Sequence, residues 1–273
     1  MYTLTDGGAV PSLSRAEVTM DLTMCGLLVD RAARLARLYR DHGTWNEVKE
    51  RWFADRLSDR STRESARKIY RVLSSRLKHA PASLPNPSEL PAVLDACSTR
   101  RDRAQVFYQY LVADDPLVRY VVDEYADRMA EREPPFDFSN AAIGEILSGI
   151  QYADGGSFDY ADSTTQRWCA GFRSVMREIG ALADQAVEGH QPTVGDVPLL
   201  VALGHSYEAG DDDWHESPRG FRSLLQQPSR WDELYDRAAS TGAWEFVELH
   251  GSLELRPEAD SYSWINSEVT FDE

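Results

Sequence analysis

Apolar side chains recur every three or four residues through about the first eighty residues, and this spacing restricts the segment to amphipathic helices. The pattern predicts one long helix from Ser14 to Gly43, since glycine commonly follows the last turn of a helix. Thr44 and Ser61 each precede an acidic residue by three positions, the spacing of a capping box at a helix start. We therefore predict three consecutive helices before the proline-rich linker that follows Lys78.

The third of these helices has an apolar face and a basic face. At about 100° per residue, the apolar stripe consists of Ala66, Ile69, Tyr70, Leu73 and Leu77. The adjoining face carries Arg63, Arg67, Arg71 and Lys78, flanked by Arg60 and Lys68. Thr62 lies at the helix entrance, where the first backbone N–H groups have no partner within the helix.

A short capped helix, a connector at residues 58–60 and a second capped helix form the arrangement of a helix-turn-helix. The second helix of that motif enters the major groove of DNA. Arginine suits the task because its planar guanidinium binds a phosphate or a guanine edge through two hydrogen bonds. Three-helix units with basic faces also occur in proteins that contact no DNA, so the residues leave a structural interpretation open.

The charge of the chain is unevenly distributed. The formal total is −16, from 29 basic and 45 acidic residues. Residues 31–79 hold 14 basic and 6 acidic side chains, a balance of +8, whereas residues 183–273 hold 5 and 19, a balance of −14. A basic region in an acidic protein favours contact with phosphates. The alternative is that the basic helices pack against the acidic C-terminal part.

The composition also indicates where the protein works. Lysine accounts for three of the 29 basic residues, and an acidic, lysine-poor chain is typical of halophile-like proteins that stay soluble in concentrated salt. A GC-rich coding bias is an alternative explanation of this composition and accounts for it less well. Three cysteines in unrelated contexts predict no disulfide framework. With no secretory signal and no run of about 18 apolar residues, we expect a cytoplasmic protein without membrane contact.

The remainder of the chain is predicted to be mainly helical. Asp115 and Pro116 form a helix start, and Ser139 caps a short helix. After a Gly/Asp-rich connector, Ser163 opens a helix whose candidate contacts are Thr164, Thr165, Arg167 and Arg173. This resembles the first unit and predicts a second helix-turn-helix-like unit, although capping preference alone also places Ser-Thr at helix entrances.

Alternating side chains on either side of His250 predict a C-terminal β-hairpin. The expected fold is therefore mainly all-α, with two helix-turn-helix-like units and a small hairpin. We divide the chain into an N-terminal unit at 1–79, a middle helical region at 80–182 and an acidic C-terminal region at 183–273.

Linear motifs of catalysis are absent from the sequence. It contains no phosphate-binding loop, dinucleotide-binding glycine pattern, zinc-protease motif or G-x-S-x-G elbow. The six histidines stand singly, and the acidic run from Asp211 to Asp213 favours an exposed turn over a metal site. We expect no catalytic residues, no cofactor and no metal, and hence a protein that is not an enzyme.

Several stretches are more specific than a generic helix-turn-helix. They are Gly43-x-Trp-x-x-Val-Lys, Ser61-Thr-x-x-Ser-Ala-Arg-Lys, Gln105-Val-Phe-Tyr-Gln-Tyr-Leu, Asp115-Pro-Leu-Val-Arg, Asp162-Ser-Thr-Thr-Gln-Arg and Met176-Arg-Glu-Ile-Gly-Ala-Leu. Together they resemble the BrxA family, a core component of bacteriophage exclusion (BREX) defence systems. The resemblance covers roughly residues 14–182 and, more faintly, the C-terminal hairpin.

The resemblance implies an all-helical protein that binds double-stranded DNA within a system that methylates host DNA and blocks phage replication. It implies neither the methyltransferase nor the ATPase of that system. Its implied contacts in this chain are Thr62, Arg63, Arg67 and Arg71 in the first unit and Thr164, Thr165 and Arg167 in the second. Other BREX components are expected as further partners. The alternatives are a protein-interaction adaptor within a defence complex and a helix-turn-helix transcriptional regulator.

Overall fold

Helices dominate the computed structural model, which describes residues 13–210, 214–249 and 252–266. The α-helices of these residues are α1 (Val29–His42), α2 (Trp45–Ala54), α3 (Arg63–Lys78), α4 (Leu90–Ala96), α5 (Arg100–Asp114), α6 (Pro116–Glu131), α7 (Asn140–Ser148), α8 (Asp162–Ile179), α9 (Asp196–Ala209), α10 (Arg219–Ser223) and α11 (Trp231–Ser240). The strands are β1 (Phe136–Asp137), β2 (Glu188–Gly189), β3 (Trp244–Leu249) and β4 (Ser252–Pro257). The prediction of a mainly α fold is confirmed.

The strands form two small antiparallel pairs. β1 pairs with β2, and β3 pairs with β4 in a register that places Trp244 opposite Pro257 and Leu249 opposite Ser252. The second pair is the predicted C-terminal hairpin. Its turn residues, His250 and Gly251, lie outside the described residues.

One cluster of buried hydrophobic side chains extends from Leu13 to Trp264. α5 lies deep within it, because every residue of 104–112 is buried and α1, α3, α6, α8 and α9 all pack against this helix. The amides of the two buried glutamines in this stretch, Gln105 and Gln109, donate to backbone carbonyls, as buried polar groups require. The division of the chain at residues 79 and 182 stays a prediction.

The predicted helix from Ser14 is wrong in its first half, since α1 begins at Val29. Leu28 adopts the left-handed conformation, with φ 53° and ψ 42°, and this interrupts a right-handed helix. The chain upstream forms turns and a short 3-10 helix at Asp21–Thr23, which packs on α8. The apolar residues of this segment are buried by tertiary contacts and not by one face of a helix. Their spacing in the sequence does not distinguish the two cases.

The capping residues of α2 and α3 set the geometry of the N-terminal unit. Thr44 caps α2 as predicted, and its hydroxyl oxygen accepts the Glu47 N–H at 3.4 Å. α3 is capped by Thr62 and not by Ser61, with the Thr62 hydroxyl oxygen 3.2 Å from the Ser65 nitrogen. α3 ends at Lys78 as predicted.

α2 ends earlier than its apolar pattern predicted. The helix stops at Ala54, so the connector to α3 spans residues 55–62 and is longer than the predicted three residues. Arg56 and Asp59 have positive φ angles of 54° and 51°, and Ser58 is buried within the connector. Residues with positive φ do not fit a right-handed α-helix, so the backbone conformation at Arg56 prevents α2 from extending through Leu57.

The start of α8 also differs from its prediction. α6 and α7 are capped by Asp115 and Ser139 as expected. α8, however, begins at Asp162 with Ala161 at its N-cap position, where no side chain caps the helix. Ser163 therefore lies inside the first turn, so the entrance of α8 does not repeat the entrance of α3.

Candidate nucleic-acid interface

α3 separates an apolar face from a basic face as the sequence predicted. Its apolar stripe is buried, with Ala66 the most accessible member at 8%. Arg63, Arg67 and Arg71 are exposed on the other side. Residues four apart lie about 40° from each other around an α-helix, so these three arginines form one row.

The predicted DNA contacts on α3 differ in whether they already interact with another residue of the protein. Arg63, Arg67 and Arg60 are exposed and make no ion pair with any described residue. Lys68 pairs with Glu64 at 3.2 Å within the helix, and the Arg71 Nη2 atom lies 2.7 Å from an Asp21 carboxylate oxygen. The Thr62 hydroxyl serves as the N-cap. Arg63 and Arg67 are thus the arginines of this row with free guanidinium groups.

Arg34 of α1 holds the connector that leads into α3. One of its terminal nitrogens donates to the Leu57 carbonyl at 3.3 Å and to the Asp59 carboxylate. These two contacts fix the chain just before Arg60 and Thr62. The entrance of α3 is consequently anchored to the body of the protein through α1.

Aromatic packing joins α2 to α3. The ring centroids of Trp52 and Tyr70 are 6.2 Å apart, those of Phe53 and Tyr70 are 5.7 Å apart, and the Tyr70 hydroxyl donates to the Trp45 carbonyl at 3.2 Å. Lys78 places its ammonium 5.0 Å from the centroid of Trp45. This cation–π contact takes Lys78 away from the arginine row with which the sequence grouped it.

Three cations that the sequence reasoning counted but did not single out are also exposed. Lys49 and Arg51 flank the buried Trp52 of α2, and Arg56 lies in the connector. None of the three forms an ion pair with a described residue. We call the exposed cations of α2, the connector and α3 that form no ion pair or cation–π contact with a described residue the basic surface, namely Lys49, Arg51, Arg56, Arg60, Arg63 and Arg67. In the sequence, the feature that indicates this surface is the +8 charge balance of residues 31–79.

The ion pairs that Lys and Arg side chains of residues 31–79 make with described carboxylates stay close to the N-terminal unit. Their acidic partners are Asp21, Asp41, Asp59, Glu64 and Asp95. None of these belongs to residues 183–273. Among the described residues, direct ion pairing therefore gives no support to the alternative in which the basic helices neutralise the acidic C-terminal region.

The candidate contacts of the second unit are less available. Thr164 and Thr165 are half-buried, and the Thr165 hydroxyl donates to the Ala161 carbonyl at 3.4 Å. Arg173 donates to the Ala186 carbonyl at 3.2 Å and to the Asn140 side chain at 3.4 Å. These contacts give Arg173 a structural role. Arg167 is exposed and stays a candidate contact.

Arg76 stands apart from the other arginines of α3 because it is buried. Its guanidinium donates to the carbonyls of Gly26 at 2.7 Å and Cys25 at 3.3 Å, and its burial lowers its pKa. Asp115 lies near it and is also buried, and burial raises the pKa of this carboxyl to about 6. These groups tie the N-terminal segment to the interior and do not belong to the basic surface.

A second polar contact joins residues that the sequence showed as isolated. The Ser83 hydroxyl and the His205 Nδ1 atom are 2.9 Å apart, and both residues are buried. Burial lowers the pKa of His205 to about 4, so its imidazole is neutral at physiological pH. The pair joins the proline-rich linker to α9.

No group of three or more His, Cys, Asp or Glu side chains within the described ranges is placed to hold a metal ion. The acidic run at Asp211, Asp212 and Asp213 lies outside those ranges. Cys25, Cys97 and Cys169, all within the described part, are buried and free. Within the same part of the chain, no helix combines the length and hydropathy needed to cross a membrane.

A family model described as BrxA matches residues 17–190, more than half of the chain. The matched range contains α1 through α8 and the pairing of β1 with β2. It includes the basic surface and excludes α9, α10, α11 and the C-terminal hairpin. No curated protein matches the chain.

Proposed function

We propose, from the premise that this chain belongs to the BrxA family, that it binds duplex DNA through its basic surface as part of phage defence. Family membership supports a role as a component of a BREX-type system. The DNA contact is the finer part of the proposal. It is supported by the geometry of α3 and by the distribution of charge.

The observation that carries the proposal is the free arginine row on α3. Arg63 and Arg67 lie one turn apart, are exposed and form no ion pair with any described residue, although the chain has a net charge of −16. Carboxylates that could neutralise them are abundant in the protein. Exposed guanidinium groups that remain unpaired in such a chain are available to phosphates, which they bind in bidentate geometry.

The neighbouring cations are able to join the contact at low cost. Lys68 and Arg71 are 44% and 66% exposed, and each is paired with one carboxylate. Exposed ion pairs of this kind contribute about 0–1 kcal/mol, so exchanging the carboxylate for a phosphate loses little. We therefore expect backbone phosphates to supply most of the affinity, with the first turn of α3 and its cap at Thr62 nearest to the DNA.

We also propose that the protein acts by binding and not by catalysis. The Ser83–His205 pair has the residue types of a nucleophile and a base, but both side chains are buried and serve to join two segments. A cytoplasmic location is part of the same proposal, supported by three cysteines that are all buried and free.

Fluorescence anisotropy with labelled duplex DNA, single-stranded DNA and RNA of equal length tests the proposal. Titrations at several salt concentrations should show tighter binding to the duplex, with the logarithm of the affinity falling linearly with the logarithm of salt. Other BREX components are proposed as further partners, and a pull-down with and without nuclease separates direct contacts from DNA-mediated ones. Absence of salt-dependent binding to duplex DNA would contradict the proposal.

A further inference from the structure

A cleft of about 240 Å³ lies between α1, the end of α4 and the first turns of α5. Its floor is apolar and consists of Val29, Ala33 and Leu94. Three guanidinium groups and one carboxylate surround it, from Arg34, Arg37, Arg103 and Asp30. None of these arginines is among the predicted DNA contacts.

Arg103 is positioned for an external anion. Its Nε atom donates to the Leu94 carbonyl at 3.1 Å, which fixes the direction of the side chain. Its two terminal nitrogens form no hydrogen bond or ion pair with any described residue. A guanidinium that is held at one edge and free at the other presents two N–H groups to a ligand.

The other two arginines are held in exchangeable pairs. Arg37 lies 2.7 Å from Asp95, and Arg34 contacts Asp59. Both arginines are 42% exposed and both carboxylates are 55% exposed, so each pair is worth at most about 1 kcal/mol. A phosphate that enters the cleft is therefore able to replace a carboxylate as the acceptor.

Arg34 links the cleft to the connector that leads into α3. Arg34 lines the cleft and also holds the Leu57 carbonyl and the Asp59 carboxylate of the connector. Arg60 follows Asp59 directly, and Thr62 caps α3 two residues later. An elongated polyanion that contacts the basic surface at this entrance consequently has a second cationic site beside it.

We propose that the cleft binds a phosphate group of the DNA backbone, adjacent to the phosphates contacted by the basic surface. This inference rests on the proposed function and extends it to a site on α1 and α5. A tetrahedral phosphate suits a cleft lined by three arginines because its oxygens accept hydrogen bonds in several directions. The volume of about 240 Å³ admits one phosphate with part of the adjoining sugars.

Arg103→Ala tests the site, with Arg101→Ala as the matched control. Arg101 belongs to the same helix and has the same charge, but its guanidinium lies against Gly180 and does not line the cleft. We expect Arg103→Ala to weaken duplex binding about three- to tenfold at ~0.15 M salt and to reduce the salt slope by about 1. Arg101→Ala should leave the salt slope unchanged. Circular dichroism melting confirms that both variants are folded.

The outcomes separate this inference from the proposed function. If Arg103→Ala behaves like Arg101→Ala while Arg63→Ala/Arg67→Ala weakens binding, the cleft is not a DNA contact but the proposed function holds. If the wild-type chain does not bind duplex DNA, both the inference about the cleft and the proposed function are wrong. Inorganic phosphate, added at constant ionic strength, distinguishes the source of the anion. A rise in Tm that needs Arg103, without any change in duplex affinity, would identify a site for free phosphate and overturn the inference.

Discussion

Arginines on a single helix of this protein serve different purposes, and burial decides which. Arg63 and Arg67 are exposed and form no ion pair with any described residue, Arg71 is 66% exposed and paired with Asp21, and Arg76 is 5% exposed. Burying a cation is expensive unless its N–H groups find acceptors. Arg76 meets this requirement through two backbone carbonyls of residues 25 and 26, which are consequently satisfied without belonging to a helix.

Replacing Arg76 should therefore destabilise the fold. We expect Arg76→Met to lower the free energy of unfolding by about 3 kcal/mol or more, because a buried and a half-buried carbonyl lose their donor and the nearby buried carboxyl of Asp115 loses a compensating charge. Arg71→Met, at an exposed position of the same helix, should cost less than about 1 kcal/mol. Urea unfolding followed by circular dichroism measures both. Equal losses would contradict the structural role assigned to Arg76.

The carboxyl of Asp115 links stability to pH. Burial raises its pKa to about 6, whereas an unfolded aspartate has a pKa of about 4. Between these pH values the folded chain keeps a proton that the unfolded chain has released. Stability from this group is therefore fully present below about pH 4 and is lost as the pH rises to about 6.

Asp115→Asn isolates this effect. The side-chain oxygen of asparagine is still able to accept from the Leu117 and Val118 N–H groups, so the cap of α6 is kept while the titration is removed. We expect the unfolding free energy of the wild type to fall by on the order of 2 kcal/mol more than that of the variant between pH 4 and pH 6.5. Parallel curves for the two proteins, measured by urea unfolding, would show that Asp115 is not responsible.

Whole elements show which features of this fold were predictable. The apolar stripe of α3, the caps at Thr44, Asp115 and Ser139, and the C-terminal hairpin follow from local patterns, because neighbouring residues determine them. The segment before Val29 has the same apolar spacing and is not α-helical. Its conformation depends on distant partners on α3 and α8, which no local pattern contains.

The same reason explains how far the candidate site was predictable. The wheel of α3 correctly separated Arg63 and Arg67 from the core, since periodicity determines which face is exposed. It grouped Lys78 with them, although Trp45 of α2 binds that ammonium. The cleft at Arg103 is lined by residues of α1, α4 and α5 that are far apart in the sequence, so no local pattern predicts it.

Close packing between the 3-10 helix and α8 gives a test at the level of elements. A Cβ atom on Gly171 would lie 2.2 Å from the Leu22 carbonyl oxygen, so Gly171→Ala should cost about 1–3 kcal/mol through overpacking. Gly144 of α7 has nothing within 4 Å of such an atom, and Gly144→Ala should be stabilising by up to about 1 kcal/mol. Thermal melts compare the two. A Gly171→Ala protein as stable as the wild type would contradict the packing of the N-terminal segment.

For the whole molecule, the distribution of charge matters more than its total. Of the 14 cations in residues 31–79, several are paired with carboxylates and Arg76 is buried. The +8 balance is therefore larger than the positive charge that a ligand can contact. The exposed cations of residues 31–79 that make neither an ion pair nor a cation–π contact with a described residue are those of the basic surface. In concentrated salt, about 1 M, charges are screened beyond about 3 Å, and close guanidinium–phosphate contacts then contribute more than long-range attraction.

The decisive measurement for DNA binding by α3 is the salt dependence of duplex affinity in the variant Arg63→Ala/Arg67→Ala/Arg71→Ala. The matched control is Arg15→Ala/Arg230→Ala/Arg256→Ala, which removes the same charge from half-exposed, ion-paired positions. We expect the first variant to lose at least about tenfold in affinity at ~0.1 M salt, with a salt slope lower by roughly two to three, while the control keeps the wild-type slope. Equal slopes and affinities for the two folded variants would contradict DNA binding by the basic face of α3.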